Sequence, residues 1–129
     1  MSTRSRIGFL HTDGTTETIY CHNDGYPENQ MKILTENYDT AEKVRELLAL
    51  GDISELGERI APDEGEEHGF DYERRAEGVT VAYHRDRGEP LSPAVRHENI
   101  VALKDYDWQI EWFYLFDMGS GNWLLPIEG

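Results

Sequence analysis

Between Asp52 and Gly78 the chain carries ten carboxylates against three arginines, a net of −7 that is half of the formal −14 of the whole sequence. Like charges at this density repel one another and resist packing, so Pro62 to Gly69 is expected to form a mobile surface loop. The full length of 129 residues fits one domain, residues 1–129, because a second core would leave too few residues for each. A fold of this size buries roughly two-thirds of the surface its unfolded chain exposes, enough for a core without disulfides.

The elements are read on either side of the acidic stretch. Arg6 to Leu10 and Thr16 to His22 are rich in β-branched and aromatic residues and flank Asp13-Gly14, a turn signal that predicts an opening hairpin. Asn23 to Pro27 breaks the strand. Met31, Ile33, Leu34 and Tyr38 then mark a short helix. A second helix is expected from a capping box of Asp39 with Glu42, an apolar stripe of Val44, Leu47, Leu48 and Leu50, and a stop at Gly51. Ile53 and Leu56 suggest one more helical turn. Val79 to Tyr83 resumes strand character, and Ala94 to Leu103 is ambiguous. Ile110 to Phe116, a turn over Asp117 to Gly121, and Asn122 to Leu125 make a closing hairpin. The sum is an α+β domain: a mostly antiparallel sheet of about five strands, with hairpins at both ends and two helices packed on one face.

The charge balance excludes more than it assigns. Binding nucleic acid or an anionic membrane requires clustered Lys and Arg, so neither is expected as a direct partner. The first thirty residues lack the layout of a signal peptide, and no apolar run approaches the length of a membrane span. A single cysteine, Cys21, cannot close an internal disulfide, which points to a reducing cytosol. No His-Glu-x-x-His, paired Cys-x-x-Cys, P-loop or Gly-x-Ser-x-Gly pattern occurs, so no metal or other cofactor and no catalytic residue is assigned. Cys21 beside His22 is read as a buried, inert thiol, since neighbours on a strand face opposite ways. The three lysines against nine arginines also suit a salt-adapted or GC-rich source, which would explain the acidity without any partner.

Two segments hold groups able to do chemistry. At the end of the second strand, His22 could exchange protons near neutral pH with Asp24 to orient it; alternatively Asp24-Gly25 only shapes a turn and His22 binds its backbone. In Tyr83 to Glu89, read as extended, Arg85 and Arg87 would point to one side and grip a carboxylate or phosphate, with His84 and Asp86 on the other. The structural alternative is a salt-bridge hub in which these arginines neutralise the acidic region.

Four stretches together resemble a family of small, largely uncharacterised proteins of phages, prophages and other mobile elements. They are Ser2 to Gly8, Ile19-Tyr20-Cys21-His22-x-Asp24-Gly25-Tyr26-Pro27, Gly51 to Gly57, and Tyr83-His84-Arg85-Asp86-Arg87-Gly88-Glu89. Asn23 stands where that family often has Trp. The resemblance implies a phage-type accessory protein acting in the host cytosol and supplies no catalytic residues. With the charge, it leads to the expectation of a non-enzymatic protein that binds and inhibits a host macromolecule with a basic surface, such as a nuclease or CRISPR effector, through nucleic-acid mimicry by Glu64, Glu66, Glu67 and Asp71. The alternative is a small-anion or nucleotide site, binding or phosphoester-processing, built on His22, Asp24, His84, Arg85, Asp86 and Arg87. The oligomeric state is left open.

Overall fold

The computed structural model describes residues 2–129. Strands β1 (Ser5–Leu10) and β2 (Thr16–Asn23) form the expected antiparallel hairpin, in register from Ser5 opposite Cys21 to Leu10 opposite Thr16. Its turn is fixed locally: Asp13 Oδ1 accepts the Thr15 N–H at 3.0 Å and the Thr15 hydroxyl at 2.7 Å, while Gly14 takes φ +89°.

Helix α1 (Pro27–Asn37) starts on proline, whose fixed φ suits a first turn. Helix α2 (Ala41–Ala49) buries Val44, Leu47 and Leu48, the stripe read from the sequence. Its cap differs from the expectation by one position. Thr40 accepts the Lys43 N–H at 3.2 Å, whereas Asp39 takes the Lys43 ammonium at 3.1 Å. Gly51, at φ +74°, turns the chain out of the helix.

The turn expected at Ile53 is instead a strand, β3 (Ile53–Glu55), parallel to β2 with Ile53 beside Cys21. The free edge of β2 offers these residues a ladder, and Asn23 Nδ2 donates to Ser54 Oγ at 3.2 Å across it. After a long loop containing one 3-10 turn at Tyr72–Arg74 come β4 (Val81–Ala82) and the short helix α3 (Tyr83–Arg87). The ambiguous stretch resolves into β5 (Val95–His97) and α4 (Ile100–Tyr106), the latter capped by Asn99 on the Ala102 N–H at 2.8 Å. Strands β6 (Trp112–Asp117) and β7 (Asn122–Trp123) form the closing hairpin, and β8 (Ile127–Glu128) returns to β6.

The class is α+β, with eight strands and four helices among the described residues rather than about five and two. The sheet runs β4-β3-β2-β1-β6-β7, with β5 also on β2 and β8 also on β6. It is mixed, not mostly antiparallel, because β1–β6 and β2–β3 are parallel pairs. Parallel pairing requires long crossovers, and the helices and the acidic stretch supply them.

Helices also cover both faces. Ile7, Phe9, Ile19, Cys21, Tyr114 and Phe116 pack against α1 and α2 on one side. Phe113, Leu115, Leu10 and Tyr20 pack with Leu103 of α4 on the other. Side chains alternate between faces along each strand, so β1 and β6 feed both layers. The first layer is stitched at its rim, where Tyr38 donates its hydroxyl to the Gly57 carbonyl at 2.8 Å and accepts through its own carbonyl from Trp123 Nε1 at 2.8 Å.

Candidate anion-binding face

The alternation that sends Ile7 and Phe9 to the α1–α2 layer sends Arg4 and Arg6 to the opposite face, beside Tyr20 and His22 of β2. Arg6 is 5 % exposed. Its Nε donates to Thr18 Oγ1 at 2.8 Å and its Nη2 to the Thr18 carbonyl at 3.0 Å, and the Tyr106 ring lies 5.5 Å from its guanidinium carbon. Burial pulls its pKa below the ordinary arginine value, against the longer-range attraction of Asp52 and Asp107. Next along the face, the Tyr20 hydroxyl and His22 Nδ1 share a hydrogen bond at 2.7 Å.

Neither Arg4 nor Arg6 forms an ion pair among the described residues, whereas every other arginine of the chain has a carboxylate oxygen within 3.4 Å. In a chain with 26 acidic residues, two adjacent arginines without a carboxylate are the exception. A buried cation whose carboxylates act only from beyond ion-pair distance is costly, and that cost is relieved when an anion arrives.

Arg4 lines one hollow and Tyr20 another. One, of about 430 Å³, is lined by Ser2, Thr3, Arg4, Trp108, Gln109 and Glu111. The other, of about 240 Å³, lies past Tyr20 between Asp52, Tyr83, His84 and Glu89. Asp52 Oδ1 accepts the Tyr20 N–H at 3.0 Å, in the gap between β3 and β5 along the edge of β2. Burial pushes the Asp52 carboxyl above its ordinary range, opposed by that hydrogen bond and by Arg6. Deeper in the same face, Thr16 Oγ1 and His97 Nδ1, register partners across β2 and β5, are buried without a hydrogen-bond partner.

The residues singled out in the sequence divide. Tyr20 links His22 to the smaller hollow, into whose wall His84 also comes. Asp24 does not join them. It is exposed at φ 56°, and its carbonyl accepts from Asn29 Nδ2 at 2.9 Å, so the turn at the end of β2 carries it away from His22.

The segment from Tyr83 is helical rather than extended, which removes the expected side-by-side placement of Arg85 and Arg87. The helix forms because Asp86 reaches back to the Ala82 N–H at 2.8 Å and Gly88 closes it at φ 77°. Arg85 turns inward, donating to Asp86, to the Ile60 carbonyl at 2.6 Å and to the Thr80 carbonyl at 2.7 Å. Arg87 stacks on Phe70 and pairs with Glu89 at 3.4 Å. Buried His68 completes this hub: its Nδ1 accepts the Ala76 N–H at 2.9 Å, and its Nε2 lies 3.3 Å from Asp86, off hydrogen-bond alignment. Burial alone would raise the Asp86 pKa, but the Arg85 and Ala82 hydrogen bonds outweigh it and hold it low. Cys21 is fully buried, and desolvation pushes its thiol up to about 11, so it offers no thiolate nucleophile near neutral pH.

Of the four acids expected to meet a partner, Glu66 accepts two bonds from Arg59, at 2.8 and 3.2 Å, and Asp71 pairs with Arg74 at 3.1 Å. Glu64 and Glu67 are exposed and form no ion pair among the described residues.

Arg4 and Arg6 were not among the candidates. The same two-residue spacing applied to Arg85 and Arg87 occurs at Arg4-Ser5-Arg6, at the start of the first strand, and that is where it places two arginines on one face.

Among the described residues no group of three or more His, Cys, Asp or Glu is arranged to hold a metal ion, and no helix is long and apolar enough to cross a membrane. No family model, curated protein or solved structure matches the chain.

Proposed function

We propose that this protein binds a small anionic ligand on the sheet face beside α4, with Arg4 as the contacting cation and Arg6 as the buried charge behind it. The observation that carries this reading is the pair of neighbouring arginines without carboxylate partners in a chain where all others are paired. The Tyr20–His22 pair would position or exchange a proton at the rim of the same face. The grip thus moves from Arg85 and Arg87, whose donors serve the hub, to the first strand.

Titration with inorganic phosphate, followed by NMR at the arginine Nε–H groups, tests it. Saturable shifts at Arg4 and Arg6 are expected, with loss of binding in Arg4→Ala and Arg6→Met and retention in Arg87→Ala. Equal binding by all four proteins would refute the reading.

A second reading is favoured by the unpaired, exposed Glu64 and Glu67: docking of a basic host protein, in keeping with the resemblance to accessory proteins of mobile elements. Complementary fields would speed such an encounter and make it salt-sensitive. Charge reversal at both positions should then abolish capture of that partner from host lysate, while Arg4→Ala leaves it intact. Capture that survives the reversal eliminates this reading.

A further inference from the structure

We infer that the anion is a phosphate monoester carried on a planar aromatic ring, that is, a nucleoside monophosphate. This inference rests on the anion-binding reading and narrows it. Arg4 lines the hollow and Arg6, two residues on along the same face, adds a buried positive charge outside its lining; that field suits a ligand with close to two negative charges, and a phosphate monoester carries about −1.5 to −2 near neutral pH. Its oxygens also match the fork of a guanidinium.

The ring is argued from Trp108. Trp108 is 88 % exposed, the most exposed large hydrophobic residue among those described, and it lines the same hollow as Arg4. An indole left open beside a cation gives a base a stacking surface within reach of its phosphate. The hollow of about 430 Å³ falls within the roughly 300 to 1,000 Å³ of small-molecule sites. Gln109 and Glu111 border it with amide and carboxylate groups that can pair with base edges or ribose hydroxyls. Glu111 does not neutralise Arg4: its Oε2 accepts the backbone N–H of Arg4 at 3.3 Å, and the two side chains form no ion pair.

The experiment compares inorganic phosphate, ribose 5-phosphate, adenosine and AMP on the full chain and on Trp108→Ala. AMP should bind about tenfold more tightly than ribose 5-phosphate, the gain expected of one stacked base. Trp108→Ala should erase that gain and leave phosphate affinity unchanged, with its folding checked by circular dichroism. Equal affinities for AMP and ribose 5-phosphate, or a Trp108→Ala protein that keeps the AMP preference, would overturn the ring assignment while leaving the anion site standing. If none of the phosphates binds, the anion reading falls with it.

Discussion

Arginine does opposite work in two parts of this molecule. Around α3 and the acid-rich loop, Arg59, Arg75 and Arg85 spend their N–H groups on Glu66, Glu55, Asp86 and backbone carbonyls, so their charge is consumed in holding irregular chain in place. Arg6 on β1, and Arg4 one residue before that strand, whose carbonyl accepts the Glu111 N–H at 3.0 Å, need no such support, and neither side chain has a carboxylate at pairing distance. The same residue type is a structural staple where the backbone lacks a ladder and an available charge where the ladder already satisfies it. In an acidic chain the second situation is the informative one.

The sharpest way to break the contrast is to remove one arginine from each region. Arg85→Ala strips Asp86 and two carbonyls of their donors and should cost about 2 to 3 kcal/mol, read as a lower urea midpoint, with phosphate binding unchanged. Arg6→Met removes a buried cation without an ion-pair partner, so its stability should stay within about 1 kcal/mol of the parent while binding is lost. A larger stability loss in Arg6→Met than in Arg85→Ala would reverse the assignment of roles.

Acid titration sharpens the same contrast, because Asp52 and Asp86 shift in opposite directions. Asp86, held low, favours the fold when ionised; its contribution is present above the ordinary carboxyl pKa and disappears as pH falls through its depressed value. Asp52, raised by burial, binds its proton more tightly in the folded state, so its contribution declines as pH rises from the ordinary value of 3.8 through the raised one. Side-chain NMR should find Asp52 titrating above that value and Asp86 below it. Asp86→Asn should flatten the acid limb of stability, and Asp52→Asn should leave it in place. The smallest effect belongs to Arg74→Ala, whose partner Asp71 is as exposed as itself; its unfolding midpoint should match the parent's within error.

Much of the fold could be read from local chemistry. Asp13-Gly14 announced the first hairpin, the Val44–Leu47–Leu48 stripe announced α2, and the aromatic run from Trp112 announced β6. What local pattern could not show was pairing between distant segments. Ile53 and Leu56 have a spacing that suits a helical turn, and only the vacant edge of β2 makes Ile53–Glu55 a strand. Tyr83 to Arg87 follows directly on the strand-like Val79 to Tyr83, which suggests extended chain, and its helix depends on the reach of Asp86 to the Ala82 N–H. The site followed the same rule: His22 and His84 could be noticed as reactive groups, but that Arg4 and Arg6 have no carboxylate at ion-pair distance is a property of where every acid ends up.

The parallel pairing of Ser5–Leu10 with Trp112–Asp117 has a consequence for biosynthesis. A nascent chain still tethered to the ribosome exposes one flank of its first strand until segment 112–117 emerges, 107 positions later, so the N-terminal hairpin waits for that partner throughout the synthesis of the intervening chain. During that interval the exposed edge is open to strand exchange with other chains, and a chaperone that shields the N-terminal hairpin should raise the yield of native protein more than one acting after segment 112–117 has paired.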